Sequence, residues 1–149
     1  MSQPRIYVAE PPAAYRLHKP VVADCSVLAA LVFMEPQAPE AKALIAGCAL
    51  HAPDLLAHEI GSVAVNKLRR KADAEVVQDG LTAFQLLPLQ LHAASLPAQV
   101  ALAQRYGLSA YDAAYLWLAA ELKLPLLTFD RRLGLAAQEH LSGLDEGEA

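Results

Sequence analysis

Two short apolar runs, each ending in an aspartate, most constrain what this chain can become. Val21, Val22 and Ala23 lead into Asp24, and Leu126, Leu127, Thr128 and Phe129 lead into Asp130. Runs this short and continuous fit buried strands. The stretches between them carry helical periodicity, and strands separated by helices imply right-handed crossovers and a mostly parallel sheet. In an open α/β sheet, ligands gather at the carboxyl ends of the strands, which is where both aspartates fall.

Residues 1–19 contain Pro4, Pro11 and Pro12 and read as an extended arm or a short edge strand. A strand is expected over Val21–Cys25, then a helix from Ser26 to about Glu35, stopped by Pro36. A second helix follows Pro39 and ends near Gly47 and Cys48, before a minor strand at His51–Pro53. Asp54 reads as the N-cap of a long helix from Leu55 to about Arg70, with another helix from about Ala72 to Phe84. A strand over Leu86–Leu91 has Pro88 marking its start or an edge. Helices over Leu96–Tyr106 and Ala110–Leu122, a strand over Pro125–Phe129 and a short helix from about Arg131 complete the order. Residues 141–149 are acidic and read as a frayed tail. The expected organisation is an arm (1–19), one domain (20–140) and that tail.

A length of 149 residues and a hydrophobic fraction of 55% favour one globular domain over a disordered chain. No apolar stretch approaches the ~18 residues of a membrane helix, and the N-terminus lacks a signal-peptide h-region. A cytoplasmic protein without membrane attachment is expected. Cys25 and Cys48 lie outside any CxxC or Cys/His cluster, so they read as reduced core thiols rather than zinc ligands. The net charge of −4 argues against binding nucleic acid by bulk charge. The basic residues are grouped, however, as Lys67, Arg69, Arg70 and Lys71 and as Arg131 and Arg132, and distribution matters more than the sum.

Each acid has an ordinary reading. Asp24 and Asp130 stand where a strand meets a helix and suit N-caps. Ser109-Ala-Tyr-Asp112 matches a capping box. Glu59 lies within a helix whose apolar face is Leu56, Ile60, Val63 and Ala64, and it heads a polar stripe with Ser62, Asn66 and Arg70. Such a stripe is either a solvated face or one wall of a cleft, with Glu59 toward a cation and Arg70 toward a phosphate. Taken together, two strand-end aspartates plus acids on two helices suggest a converging carboxylate site. Like-charge repulsion there calls for a cation, and Mg²⁺ suits oxygen ligands.

Four blocks in order give this chain a family resemblance: Val21-Val-Ala-Asp24-Cys-Ser26, Ala52-Pro-Asp-Leu-Leu-Ala-His-Glu59-Ile, Tyr106-Gly-Leu-Ser-Ala-Tyr-Asp112-Ala-Ala-Tyr115, and Leu126-Leu-Thr-Phe-Asp130-Arg-Arg-Leu133. Over roughly 21–135 it resembles the PIN-domain nucleases, and more specifically the VapC toxins of bacterial toxin–antitoxin pairs. The resemblance implies a three-layer α/β/α fold, endoribonuclease activity and dependence on Mg²⁺ or Mn²⁺. Asp24 and Asp112 would be the principal metal ligands, with Glu59 and Asp130 completing the acidic pocket. Ser26 would hold a metal-bound water or a phosphate oxygen. Asn66, Arg70 and Arg131 are the further candidates for RNA contact, and Tyr111, Tyr115 and Trp117 read as packing residues rather than base-stacking ones. Homodimerisation is implied, as is silencing by a cognate antitoxin whose C-terminal segment occupies the cleft. The chain departs from the family by Ser62 where relatives often carry asparagine, by its N-terminal arm and by its acidic tail.

Other readings fit less well. A covalent phosphatase of the haloacid-dehalogenase type would want D-x-D where Ser26 stands, and a phosphoacceptor receiver domain would want an acidic pair where Cys25 stands. The principal alternative is a catalytically silent PIN scaffold that binds RNA or a protein partner.

Overall fold

The computed structural model describes residues 4–10 and 19–144. Its five-stranded sheet has the order β1-β5-β2-β3-β4. The strands are β1 (Tyr7–Ala9), β2 (Lys19–Ala23), β3 (Cys48–Pro53), β4 (Leu89–His92) and β5 (Leu126–Thr128). All neighbours pair in parallel except β1, which lies antiparallel on β5. The helices are α1 (Cys25–Val32), α2 (Ala38–Ile45), α3 (Leu56–Arg69), α4 (Ala74–Leu86), α5 (Leu96–Tyr106), α6 (Ala110–Leu122) and α7 (Arg131–Ser142).

Successive strands β2, β3 and β4 step outward in one direction, and the chain then returns to place β5 on the other side of β2. Right-handed crossovers therefore put α1–α4 on one face and α5–α6 on the other. The packing agrees: α1 touches α2, α3 and α4, whereas α6 packs on α5, α7 and the strands. The result is the expected three-layer α/β/α fold. Its core is made by residues such as Val22, Leu28, Leu56, Ile60, Tyr115, Leu116, Leu126 and Leu133, all essentially inaccessible to solvent.

The strand order reverses between β2 and β5, so a crevice opens beyond their carboxyl ends. Helices that follow parallel strands begin at this edge. So does α6, because a helix leading down into the parallel strand β5 must start at the opposite end.

Several local expectations are corrected. Cys48, read as a helix end, opens β3, which is a six-residue strand between β2 and β4. Its alanines give little strand signal, and pairing on both sides decides its state. Asp54 does not cap α3: the N-cap is Leu55 in helical conformation without a side-chain bond. The Asp54 amide instead donates to the His92 carbonyl at 2.8 Å, which prolongs the β3–β4 pairing. Helix α4 starts after Asp73, whose carboxylate accepts from the Glu75 amide, and it continues through Leu86, so β4 begins only at Leu89, past Pro88. Cys25 belongs to α1 rather than to a strand end. The last helix is twelve residues long and buries Leu141, which the sequence placed at the head of the tail.

Within the arm, β1 registers Tyr7 against Thr128 and Ala9 against Leu126. The Tyr7 ring packs directly over Gly134 of α7, where a Cβ would collide with it. Residues 1–3, 11–18 and 145–149, parts of the expected arm and tail, lie outside the described residues.

Candidate active site

Asp24 follows β2, Asp130 follows β5, Glu59 sits in the first turn of α3 and Asp112 in the first turn of α6. All four line one cavity of about 470 Å³, together with Cys25, Ser26, Glu35, Gln37 and Phe129. Pro4 reaches the same cavity, because the antiparallel course of β1 carries the chain upstream of Tyr7 toward the carboxyl end of β5. Four helix N-termini meet here, and their dipoles favour negative charge.

Asp24 is buried, at 4% exposure. Its Oδ2 accepts hydrogen bonds from the Thr128 hydroxyl at 2.7 Å and the Ser26 hydroxyl at 2.8 Å. Burial pushes its pKa above the ordinary carboxylate range, against the pull of these two donors. Ser26 also accepts from the Phe129 amide at 2.9 Å, and Thr128 accepts from the Asp130 amide at 3.0 Å. The two hydroxyls thus join the ends of β2 and β5 into one polar knot.

Glu59 is half-buried, and its Oε1 accepts from the Tyr115 hydroxyl at 2.6 Å. Burial raises its pKa to about 7; the Tyr115 bond opposes the shift, while Asp24 and Asp112 reinforce it. Asp112 is raised by burial and then by Asp24 and Asp130, with Arg132 acting in the lowering sense. Asp130 does serve as the N-cap of α7, its Oδ1 accepting from the Leu133 amide at 2.8 Å. Ser109 likewise caps α6 by accepting from the Asp112 amide at 3.1 Å. Capping and cavity lining therefore coexist, because a helix N-terminus at this edge is itself part of the site.

The donor set is made of carboxylate oxygens, which suits a hard divalent cation. Cys25 also lines the cavity, and burial with the neighbouring acids pushes its thiol far above the ordinary range. Among the described residues, no three Asp, Glu, His or Cys side chains are already drawn into one coordination shell. The four acids share the lining of one cavity.

The polar stripe of α3 divides. Ser62 and Asn66 line an adjoining cavity of about 390 Å³ with Leu55, His58 and Tyr111, and Cys25, Glu59 and Val63 are common to both cavities. Arg70 and Arg131 are exposed and line neither. The Arg132 charge is felt at Asp112. Lys67 pairs with the cavity residue Glu35 at 2.8 Å. Thr128 and Glu35 were not among the site residues expected from the sequence, and Arg132 was marked only as part of a basic pair. Thr128 carried a readable signal as the one hydroxyl in an apolar strand. Of the aromatics, Tyr115 is fully buried and Trp117 packs on the core, while Tyr111 is 62% exposed.

The family model described as PIN domain matches residues 21–139. Ribonuclease VapC3 of Pyrobaculum aerophilum is 31% identical over 119 residues, which span 76% of this chain and 91% of that protein. The crystal structure of PAE2754 from Pyrobaculum aerophilum aligns with a TM-score of 0.56 at 20% identity, covering 87% of this chain and 98% of that one. At that identity the likeness concerns the fold alone. With the match covering most of the chain and all four acids, the chain belongs to the PIN-domain family and is of the VapC type.

Proposed function

We propose that this chain is a Mg²⁺-dependent endoribonuclease, with Mn²⁺ able to substitute, and the toxin component of a toxin–antitoxin pair. The carrying observation is the single cavity lined by Asp24, Glu59, Asp112 and Asp130. The 31% identity to Ribonuclease VapC3 supports RNA as the substrate. Asp24 and Asp112 are the principal cation ligands, and Glu59 and Asp130 complete the set. A bound cation would activate water for attack on the phosphodiester and stabilise charge on the phosphate and leaving oxygen.

The chain's own contributions follow from its contacts. Thr128 and Ser26 hold the Asp24 carboxylate by its Oδ2. With its donor spent on Asp24 and an acceptor site on Phe129, Ser26 supports this reading more as a holder of Asp24 than as a direct phosphate ligand. Asn66 and Tyr111 line the adjoining cavity and suit a strand of RNA leaving the acidic site; Arg70 and Arg131 serve at most as outer phosphate contacts. A homodimer in the cytoplasm, held silent by a cognate antitoxin, completes the reading; no helix among the described residues is long and apolar enough to cross a membrane.

The test is cleavage of RNA by the purified chain with Mg²⁺, with Mn²⁺ and with EDTA, alongside Asp112→Asn. Cleavage that needs the cation and vanishes in a folded Asp112→Asn variant is expected. A folded wild type that binds RNA but leaves it intact under every condition would favour the silent scaffold instead.

A further inference from the structure

The two acid-bearing helices lie in different layers: α3 packs with α1 and α4, and α6 with α5 and α7. One side chain spans the gap. Tyr115 stands three residues after Asp112 on α6, so the two share a helix face. Its ring is fully buried, and its hydroxyl donates to Glu59 Oε1 at 2.6 Å, between residues 56 apart in sequence. A hydroxyl bonded to a carboxylate at this distance is among the stronger hydrogen bonds a protein makes. Among the described residues nothing bonds the other oxygen, Oε2, and Glu59 lines both cavities.

The geometry points to Tyr115 as a positioning residue: by holding Glu59 Oε1 it fixes the free oxygen of that carboxylate relative to Asp112 on its own helix. This rests on the proposed cation site and deepens it. A glutamate has three side-chain torsions, and on a partly exposed helix turn it samples several rotamers. Tying one oxygen to a rigid core ring removes that freedom before a cation arrives. Groups that orient metal ligands in this way typically change metal affinity about 10- to 100-fold when removed. The ring itself is core packing, which is why the role belongs to the hydroxyl.

Tyr115→Phe removes the hydroxyl and keeps the ring. Mn²⁺ affinity is measured by calorimetry and by loss of the free-ion paramagnetic resonance signal, with RNA cleavage followed as a function of Mn²⁺ concentration. The expected result is an unchanged fold by circular dichroism, Mn²⁺ binding weakened about tenfold, and cleavage largely restored at saturating Mn²⁺. In a Glu59→Ala background, adding Tyr115→Phe is expected to leave the remaining Mn²⁺ affinity unaltered, an independence that general loosening of the core would not give. Equal Mn²⁺ affinity in wild type and Tyr115→Phe overturns the positioning role alone. A Tyr115→Phe variant that fails to fold, or one that weakens Mn²⁺ binding equally in the Glu59→Ala background, assigns the hydroxyl to the core and overturns it too. A wild type that neither binds Mn²⁺ nor cleaves RNA overturns the cation site, and with it this inference.

Discussion

Thr128 Oγ1 donates to Asp24 Oδ2 across 2.7 Å, joining the ends of the adjacent parallel strands β5 and β2 at a fully buried position. The same hydroxyl oxygen accepts from the Asp130 amide. Replacing it with a methyl group leaves a buried carboxylate short of a donor and an amide short of an acceptor. Thr128→Val is therefore expected to destabilise the chain by about 1–3 kcal/mol in urea unfolding at neutral pH. Thr128→Ser should recover most of the loss. Equal midpoints and slopes for wild type and Thr128→Val would remove the hydroxyl from the account of how Asp24 is held.

Glu59 takes up its proton at about pH 7 in the native chain, against an ordinary value of 4.5. An acid with a raised native pKa contributes most to stability below its unfolded value and loses that contribution as the pH climbs through the folded one. Cation-free stability should thus fall between about pH 4.5 and 7, and Asp24 and Asp112 are shifted in the same direction. His51 and His140 are lowered by burial and act in the opposite sense near neutrality, so the comparison with Glu59→Gln isolates the carboxylate. Melting temperatures in EDTA should decline less steeply with pH for Glu59→Gln, and parallel curves would contradict the raised value.

Gly134 admits the Tyr7 ring onto α7, and a Cβ there meets that ring. Gly134→Ala should force Tyr7 away and loosen β1 from β5, at a cost of about 1–3 kcal/mol. Hydrogen exchange localises the effect: Leu127 bonds to β2, so the β1–β5 ladder runs through the pairs Tyr7–Thr128 and Ala9–Leu126, and faster exchange at those four amides is expected, with α3 unaffected. Unchanged protection of β1 would show that the strand does not depend on this contact.

Tyr111 is exposed and lines the cavity next to the acids, whereas Arg70 lines neither cavity. A base stacked on such a ring gains about 1–3 kcal/mol. Tyr111→Ala should raise KM for RNA severalfold or more with little change in kcat, and Arg70→Ala should change KM far less. The reverse order would shift the RNA path toward the end of α3.

The acids were legible because their types and surroundings are local: aspartates at the ends of apolar runs, and acids where helical periodicity begins. The three-layer fold was legible for the same reason, from short strands alternating with helices. What escaped is set by tertiary pairing. Cys48 joins β3 because β2 and β4 flank it, and its alanine-rich neighbourhood says nothing of that. Asp54 carries an N-cap side chain, yet its amide is claimed by His92 across the sheet. Arg70 follows the angular stripe from Glu59, but the cavity ends before α3 does. Tyr115 reads as core, and so it is; only the partner of its hydroxyl, 56 residues away, gives it a place in the site.

Whether Asp24, Glu59, Asp112 and Asp130 act as one cation site is decided by the melting temperatures of wild type and Asp112→Asn with and without Mn²⁺. A cation that binds only the native state at a hundredfold excess over its Kd adds about 2.7 kcal/mol of stability, a shift of several degrees for a chain of this size. That shift is expected in wild type and is expected to be lost in Asp112→Asn. No shift in wild type at saturating Mn²⁺, or an equal shift in both proteins, would contradict a shared cation site.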